Sequence, residues 1–287
     1  MIEHNTSKSH LELDFAAAAK LFDAELADKK LSGELITSAF DLYAVETLRD
    51  RHSLRVGDPH PTDIFVFGKG EPVAPACTKI GGRPFWPNDR DWPSASDGSL
   101  CHFLAQFNFA DSLDIIDCNL PGTILLLLTE NEDDWLWADD GLTFHWVSAD
   151  VTPRNDLVVP STVGSAGPFY AVRHRSADYP DAADAAYELD VSEGYNLPVL
   201  NGTKIGGLPH FIQGGDDSPG RFLCQLGSIQ AAPNVPYPWA NLRDALDLQF
   251  NNDGIYGDDN CAVFGDMGSV YLFVDDNGAV SRSFECY

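Results

Sequence analysis

The chain has little positive charge, and its lysines run out early. Eighteen Lys and Arg stand against 44 Asp and Glu, a formal net charge of −26. Past Lys69 only Lys79 and Lys204 remain. No basic residue falls between Arg243 and Arg282, a span that holds Asp244, Asp247, Asp253, Asp258, Asp259, Asp266, Asp275 and Asp276. Such a surface repels nucleic acid and anionic membrane, and it attracts cationic partners. Solubility alone, or a salty cytosol, accounts for the same charge.

Catalytic and cofactor signatures are also lacking. The chain has no GxSxG, HExxH, Walker loop or GxGxxG. Its eight histidines show no ligand spacing, and its six cysteines form no CxxC pair. Cys101 with His102, and His210 with Cys224, can be drawn as thiol–imidazole pairs; buried structural cysteine is the plainer reading. Asn251-Asn252-Asp253-Gly254 resembles half of a calcium loop. With Gly254 at the sixth position, Gln249 falls first and Asn260 last, so the acidic first ligand and the bidentate Glu are missing. No catalytic residue, metal or cofactor is therefore expected. The greasiest run, Ile124 to Leu128, is too short to cross a bilayer. Met1 to Lys8 lacks the apolar core of a secretory signal, so reduced thiols and a cytoplasmic location are expected.

What the chain does contain, it writes twice. Thr78-Lys79-Ile80-Gly81-Gly82-Arg83-Pro84 returns as Thr203-Lys204-Ile205-Gly206-Gly207-Leu208-Pro209, an offset of 203 − 78 = 125 residues. Phe103-Leu104-Ala105-Gln106-Phe107 follows the first copy and Phe222-Leu223-Cys224-Gln225-Leu226 the second. An apolar strand closes each unit, Ile124 to Leu128 and Val270 to Val274. Three blocks in one order predict a duplicated unit. With 44% apolar and 11% aromatic residues in a chain of 287, a folded core is expected.

The remaining pattern completes the expected fold: α+β, predominantly β, with two pseudo-symmetric repeats and an N-terminal helical pair. Leu13, Phe15, Ala16, Ala19, Phe22 and Leu26 sit at helical spacing. Ser32 is a candidate N-cap for a second helix with the stripe Leu35, Ile36, Phe40, Tyr43, Val45 and Leu48. Residues 1–61 form that extension, ending in a polar linker from Arg49 through Pro61. Residues 62–287 form the β domain, split at about 165 into repeat one (62–165) and repeat two (166–287). Ile64 to Phe67 reads as a strand. Asp139-Asp140-Gly141 and Asp275-Asp276-Asn277-Gly278 read as hairpin turns, the first joining Trp135–Trp137 to Leu142–Val147. Short helices are expected at 182–189 and 241–248.

Several residues invite a function. Gly-Gly then Pro makes a tight elbow, and Ile80 and Ile205 read as core plugs. Lys79 and Lys204, with Arg83, either pair internally with carboxylates or mark a cationic spot where bare amides hold an anion. Asp266 is a candidate partner for one lysine. Gln106 and Gln225 lie inside apolar strands, where a buried amide must satisfy irregular backbone or touch a ligand. Trp86, Trp92 and Arg90 sit in a Pro-rich loop, as partner-binding anchors or as a cluster covering the sheet edge.

The paired Lys-Ile-Gly-Gly-x-Pro blocks, the Ala105-Gln106 and Cys224-Gln225 strands, and Phe264-Gly265-Asp266-Met267-Gly268-Ser269-Val270-Tyr271 together resemble the YwqG-like family of bacterial proteins, over about residues 62–287. The resemblance implies a mainly β fold with an internal duplication and an uncharacterised role. It also implies, through neighbouring toxin-delivery genes in some members, immunity or partner binding. It carries over no catalytic residues. The leading expectation is a non-catalytic cytoplasmic module that binds a basic protein, such as an immunity protein occupying a basic toxin. The alternative is an anion-binding protein or enzyme with a cleft between the repeats, lined by Lys79, Lys204, Gln106 and Gln225.

Overall fold

The structure, a computed structural model, describes residues 34–36, 42–72, 74–130, 136–138, 140–162, 167–189, 197–215, 220–230 and 261–287. The first expected helix, the helix at 241–248 and the calcium-like turn lie outside those residues.

Two ten-residue strands form the middle of the fold: β2 (His60–Lys69) and β7 (Phe169–Asp178), paired antiparallel along their whole length. β3 (Lys79–Ile80), β4 (His102–Asn108), β5 (Ile124–Thr129) and β6 (Thr143–Val147) extend outward from β7. β8 (Lys204–Gly206), β9 (Arg221–Gly227), β12 (Ser269–Val274) and β13 (Val280–Glu285) extend outward from β2. Together with β1 (Glu34–Ile36) they make one eleven-stranded sheet, and β10 (Ile229–Gln230) with β11 (Cys261–Ala262) makes a separate two-stranded one. Every ladder is antiparallel.

The two wings share their register. Lys79 opposes Gln106 and Lys204 opposes Gln225. Each wing skips one residue at the same place: Leu104 of β4 is left out against β5, and Leu223 of β9 against β12. A bulge of this kind bends a strand and increases its twist. The bend fits the packing, because Phe107, Leu125 and Leu127 of one wing join Leu223, Leu226, Val270 and Leu272 of the other in a single apolar cluster. Ile80 and Ile205 are buried in the same cluster. The outermost strands are then linked by side chains. Trp146 Nε1 donates to Gly278 O at 3.3 Å, and Arg282 donates to the carbonyl of Leu136 at 2.9 Å.

β5 has no exposed face, which explains its unbroken leucines. Leu125 and Leu127 enter the shared cluster. Ile124, Leu126 and Leu128 turn to a second cluster, with Phe85, Trp86, Trp92, Phe103 and Leu157. Each fully buried leucine contributes roughly 1.5–3 kcal/mol.

Three expectations are corrected. Glu34–Ile36 is a strand, and the helix α1 (Leu42–Arg51) starts later than its apolar stripe predicts. β8 pairs with β2 only at Thr62–Ile64, so one edge of Phe67–Lys69 is open to a further strand, and β1 takes it. Arg49 is not a linker residue. It is buried, donating to the carbonyls of Leu197, Ala177 (3.0 Å) and Pro198 (3.1 Å), with Tyr179 stacked 5.6 Å away. The first hairpin also differs: β6 pairs with β5, and Gly141 N bonds Ala138 O in a turn. The C-terminal hairpin forms as expected, with Asp275 Oδ1 accepting from Asn277 N and Ala279 N, both at 2.8 Å. At 182–189 a 3₁₀ turn (Pro180–Ala182) runs into α2 (Ala183–Tyr187). No helix among the described residues is long and apolar enough to cross a membrane.

Candidate functional site

The two Gly-Gly elbows are built from the same parts. The threonine hydroxyl of each accepts a strand amide: Thr78 Oγ1 from Asn108 N at 3.0 Å, and Thr203 Oγ1 from Gly227 N at 3.1 Å. Both glycines of each pair have positive φ: +66° and +74° at Gly81 and Gly82, +69° and +68° at Gly206 and Gly207. That region suits a residue without a side chain. The turn throws the next amides inward. Gln106 Oε1 accepts from Phe85 N at 2.8 Å, and Gln225 Oε1 from His210 N at 3.0 Å. Gln106 Nε2 donates to Pro75 O (3.0 Å) and Cys77 O (2.7 Å). Gln225 Nε2 reaches Asn201 Oδ1 (3.2 Å) and Ser269 Oγ (3.4 Å). Both glutamines thus hold irregular backbone in place.

The lysines are buried, and each faces a carboxylate that also takes an elbow amide. Lys204 Nζ lies 3.0 Å from Asp178 Oδ2, which accepts from Leu208 N at 2.8 Å as well. Asp178 Oδ1 accepts from Leu200 N at 2.7 Å. In the other elbow Lys79 Nζ donates to Arg83 O and lies 3.7 Å from Glu71 Oε2, while Arg83 N donates to Glu71 Oε1 at 2.6 Å. Asp266, the expected partner, bonds through its carbonyl to Tyr287 N, and the ion partners are Glu71 and Asp178. Burial pulls both lysines below their ordinary pKa, and the facing carboxylate opposes that pull. The anion cradle that glycine turns offer is therefore filled from within the chain.

The elbows differ in exposure. The side chains of Lys204 and Asp178 are both 0% exposed. Lys79 is 0% exposed, but Glu71 is 47%. Next to the closed elbow lies His210, whose pKa is lowered to about 4 by burial and then by the Lys204 charge.

Trp86 and Trp92 are not exposed anchors. They are 1% and 6% exposed, packed edge to face at 5.0 Å, and their indole N–H groups bond Arg90 O (3.0 Å) and Cys101 O (2.9 Å). The Pro-rich loop folds over the outer face of β4 and β5 and buries its rings there. Arg90 stays exposed, with its guanidinium 5.5 Å from the Trp86 ring. Burial raises the Cys101 and Cys224 thiols, which opposes thiolate formation in either cysteine–histidine pairing.

Sequence reasoning missed three charged anchors. Asp63, fully buried, is held by Arg175 (2.6 Å), Arg173 (3.3 Å) and Ser112 Oγ (2.6 Å). Asp63 and Arg175 are direct cross-strand partners, so the signal was opposite charges in two facing strands. Glu285 accepts from Ile212 N (2.6 Å), Gln213 N (2.8 Å) and Gly215 N (2.9 Å). Asp178 is the third. Neither it nor Glu285 leaves a local pattern. A groove of about 750 Å³ opens between the wings, lined by residues that include Asp117, Cys118, Asn119, Arg221 and Asp276. None of Lys79, Lys204, Gln106 or Gln225 lines it. No group of three or more His, Cys, Asp or Glu able to hold a metal occurs among the described residues.

The sequence model of a domain of unknown function, DUF1963, matches residues 78–286. The chain belongs to that family. The matched stretch opens at Thr78, the first residue of the first elbow, and takes in the second elbow and both Gly-Gly turns. No curated protein matches the chain.

Proposed function

We propose that this DUF1963 protein is a non-catalytic, cytoplasmic binding module for a basic protein partner. A toxin held by a YwqG-like immunity protein is the specific form of that reading. One observation carries it: folding leaves the acidic excess of the chain uncompensated. Among the described residues three cations (Arg49, Lys79 and Lys204) and three carboxylates (Asp63, Asp178 and Glu285) are buried. Burial there removes as many negative as positive charges, so it leaves the excess of 44 acidic over 18 basic residues undiminished. An anionic face accelerates encounter with a cationic partner and makes binding strongly salt-dependent. The shared register and matching bulges of the two wings support a duplicated β unit as the scaffold, with repeats meeting at about residue 165.

The test is affinity purification from the native host at low and at high salt. A basic protein retained at low salt and released at high salt, binding the purified chain directly, supports the proposal. Recovery of no protein partner at low salt overturns it.

A further inference from the structure

We propose that the first elbow is a binding site for a small carboxylate, with the chain's own Glu71 as a displaceable occupant. The two elbows allow a direct comparison within one molecule. In both, a buried ammonium and the amide four residues after the lysine converge on one carboxylate group. In both, the second glycine makes room for it. A Cβ on Gly82 would lie 2.4 Å from Glu71 Oε1, and one on Gly207 2.3 Å from Asp178 Oδ2.

The second elbow is permanently filled, because Asp178 is fully buried and holds Leu200 N as well. The first is filled from the surface. Glu71 is about half exposed, comes from the loop after β2, and sits 3.7 Å from the ammonium. Water screens the half-exposed Glu71 carboxylate, whereas the buried ammonium keeps its demand for a counter-ion. A carboxylate from solution reaches Lys79 Nζ and Arg83 N once Glu71 swings out. The exposed Arg83 side chain lies at the same rim. The inference rests on the elbow geometry and is independent of the basic partner.

The experiment is chemical rescue. Glu71→Ala leaves Lys79 and Arg83 N without their carboxylate. Acetate or formate then raises the Tm of the variant saturably, beyond chloride and acetamide at matched ionic strength. The double variant Glu71→Ala/Lys79→Met loses that rise. In the wild-type protein the Arg83 amide resonance moves saturably with acetate, at a weaker apparent affinity because Glu71 competes. Titration with an acidic dipeptide separates the sources: preference for it assigns a peptide carboxylate, and preference for acetate a free acid. No carboxylate-specific rise in Glu71→Ala, or a rise kept in the double variant, overturns the proposal. Should Glu71→Ala not fold, an Arg83 amide unmoved by acetate in the wild type overturns it equally.

Discussion

Asp178→Asn is the sharpest test of how the elbows are held. Asp178 meets three donors: Leu200 N at 2.7 Å on Oδ1, with Leu208 N at 2.8 Å and Lys204 Nζ at 3.0 Å on Oδ2. An asparagine keeps the shape but only one acceptor. Its NH₂ must point at either Leu200 N or the Leu208–Lys204 side, where donor meets donor. It also removes the counter-charge of an ammonium that is 0% exposed. Breaking a buried pair by removing one partner costs about 3–5 kcal/mol. Glu71→Gln in the first elbow removes the matching charge, but there the carboxylate is 47% exposed and solvent reaches the gap. Screening by water at Glu71 makes that change the cheaper of the two. Urea unfolding of both variants gives the comparison, read as the shift in midpoint at unchanged slope. If Asp178→Asn lies within about 1 kcal/mol of the wild type, or if the two variants cost the same, the buried-counter-ion argument is refuted.

Further expectations follow from the same region and its neighbours. His210 titrates at about 4 in the folded chain against 6.5 for the free side chain. The unfolded chain therefore binds the extra proton first as pH falls. Stability is full above about pH 6.5 and declines by about 3 kcal/mol towards pH 4; His210→Gln flattens that part of the stability–pH curve. Gly207→Ala places a Cβ 2.3 Å from Asp178 Oδ2 at φ +68°. It destabilises by at least about 1–3 kcal/mol from backbone strain alone, read as a lowered urea midpoint. Arg49→Ala takes the guanidinium from the carbonyls of Ala177 and Leu197 and leaves Pro198 O with the Tyr179 amide alone. Amide exchange in 197–200 then accelerates ahead of the β4–β5 core. Arg221→Ala removes ion pairs to Asp117 and Asp276 whose carboxylates are 109% and 91% exposed; the midpoint stays within about 0.5 kcal/mol of wild type.

The motif at each elbow was legible because its chemistry is local. Gly-Gly-x-Pro encodes positive φ and an exit, and a glutamine inside an apolar strand announces a buried amide that needs partners. Both readings rest on residues a few positions apart. The partners of the lysines were not legible. Glu71 is eight residues before Lys79 and Asp178 is 26 before Lys204, as 79 − 71 and 204 − 178 give, so no common spacing marks them. The tryptophan loop left two readings open for a related reason. Pro, Asp and Arg around Trp86 and Trp92 look like surface, yet the fold turns both rings onto the outer face of β5, whose five apolar residues in a row require cover on both sides. The strand at Glu34–Ile36 was unreadable because it depends on a distant open edge of β2.

The scarcity of lysine and the elbow design now bear on one another. A chain with a formal charge of −26 gains solubility by carrying few cations, and nothing in that demand protects two particular ones. Lys79 and Lys204 are kept where each offsets a carboxylate drawn onto bare turn amides. Removing the ammonium leaves that carboxylate with amide donors alone, and at the second elbow, where both side chains are 0% exposed, no water takes its place. Lys204→Met is therefore expected to be costly in the wild type and far less costly when Asp178 is already Asn, because the charge it answered is gone. A double-mutant cycle measures that coupling directly. Additive costs would mean that the lysine serves packing through its methylene stem, and the electrostatic account of why these two survive would fail with them.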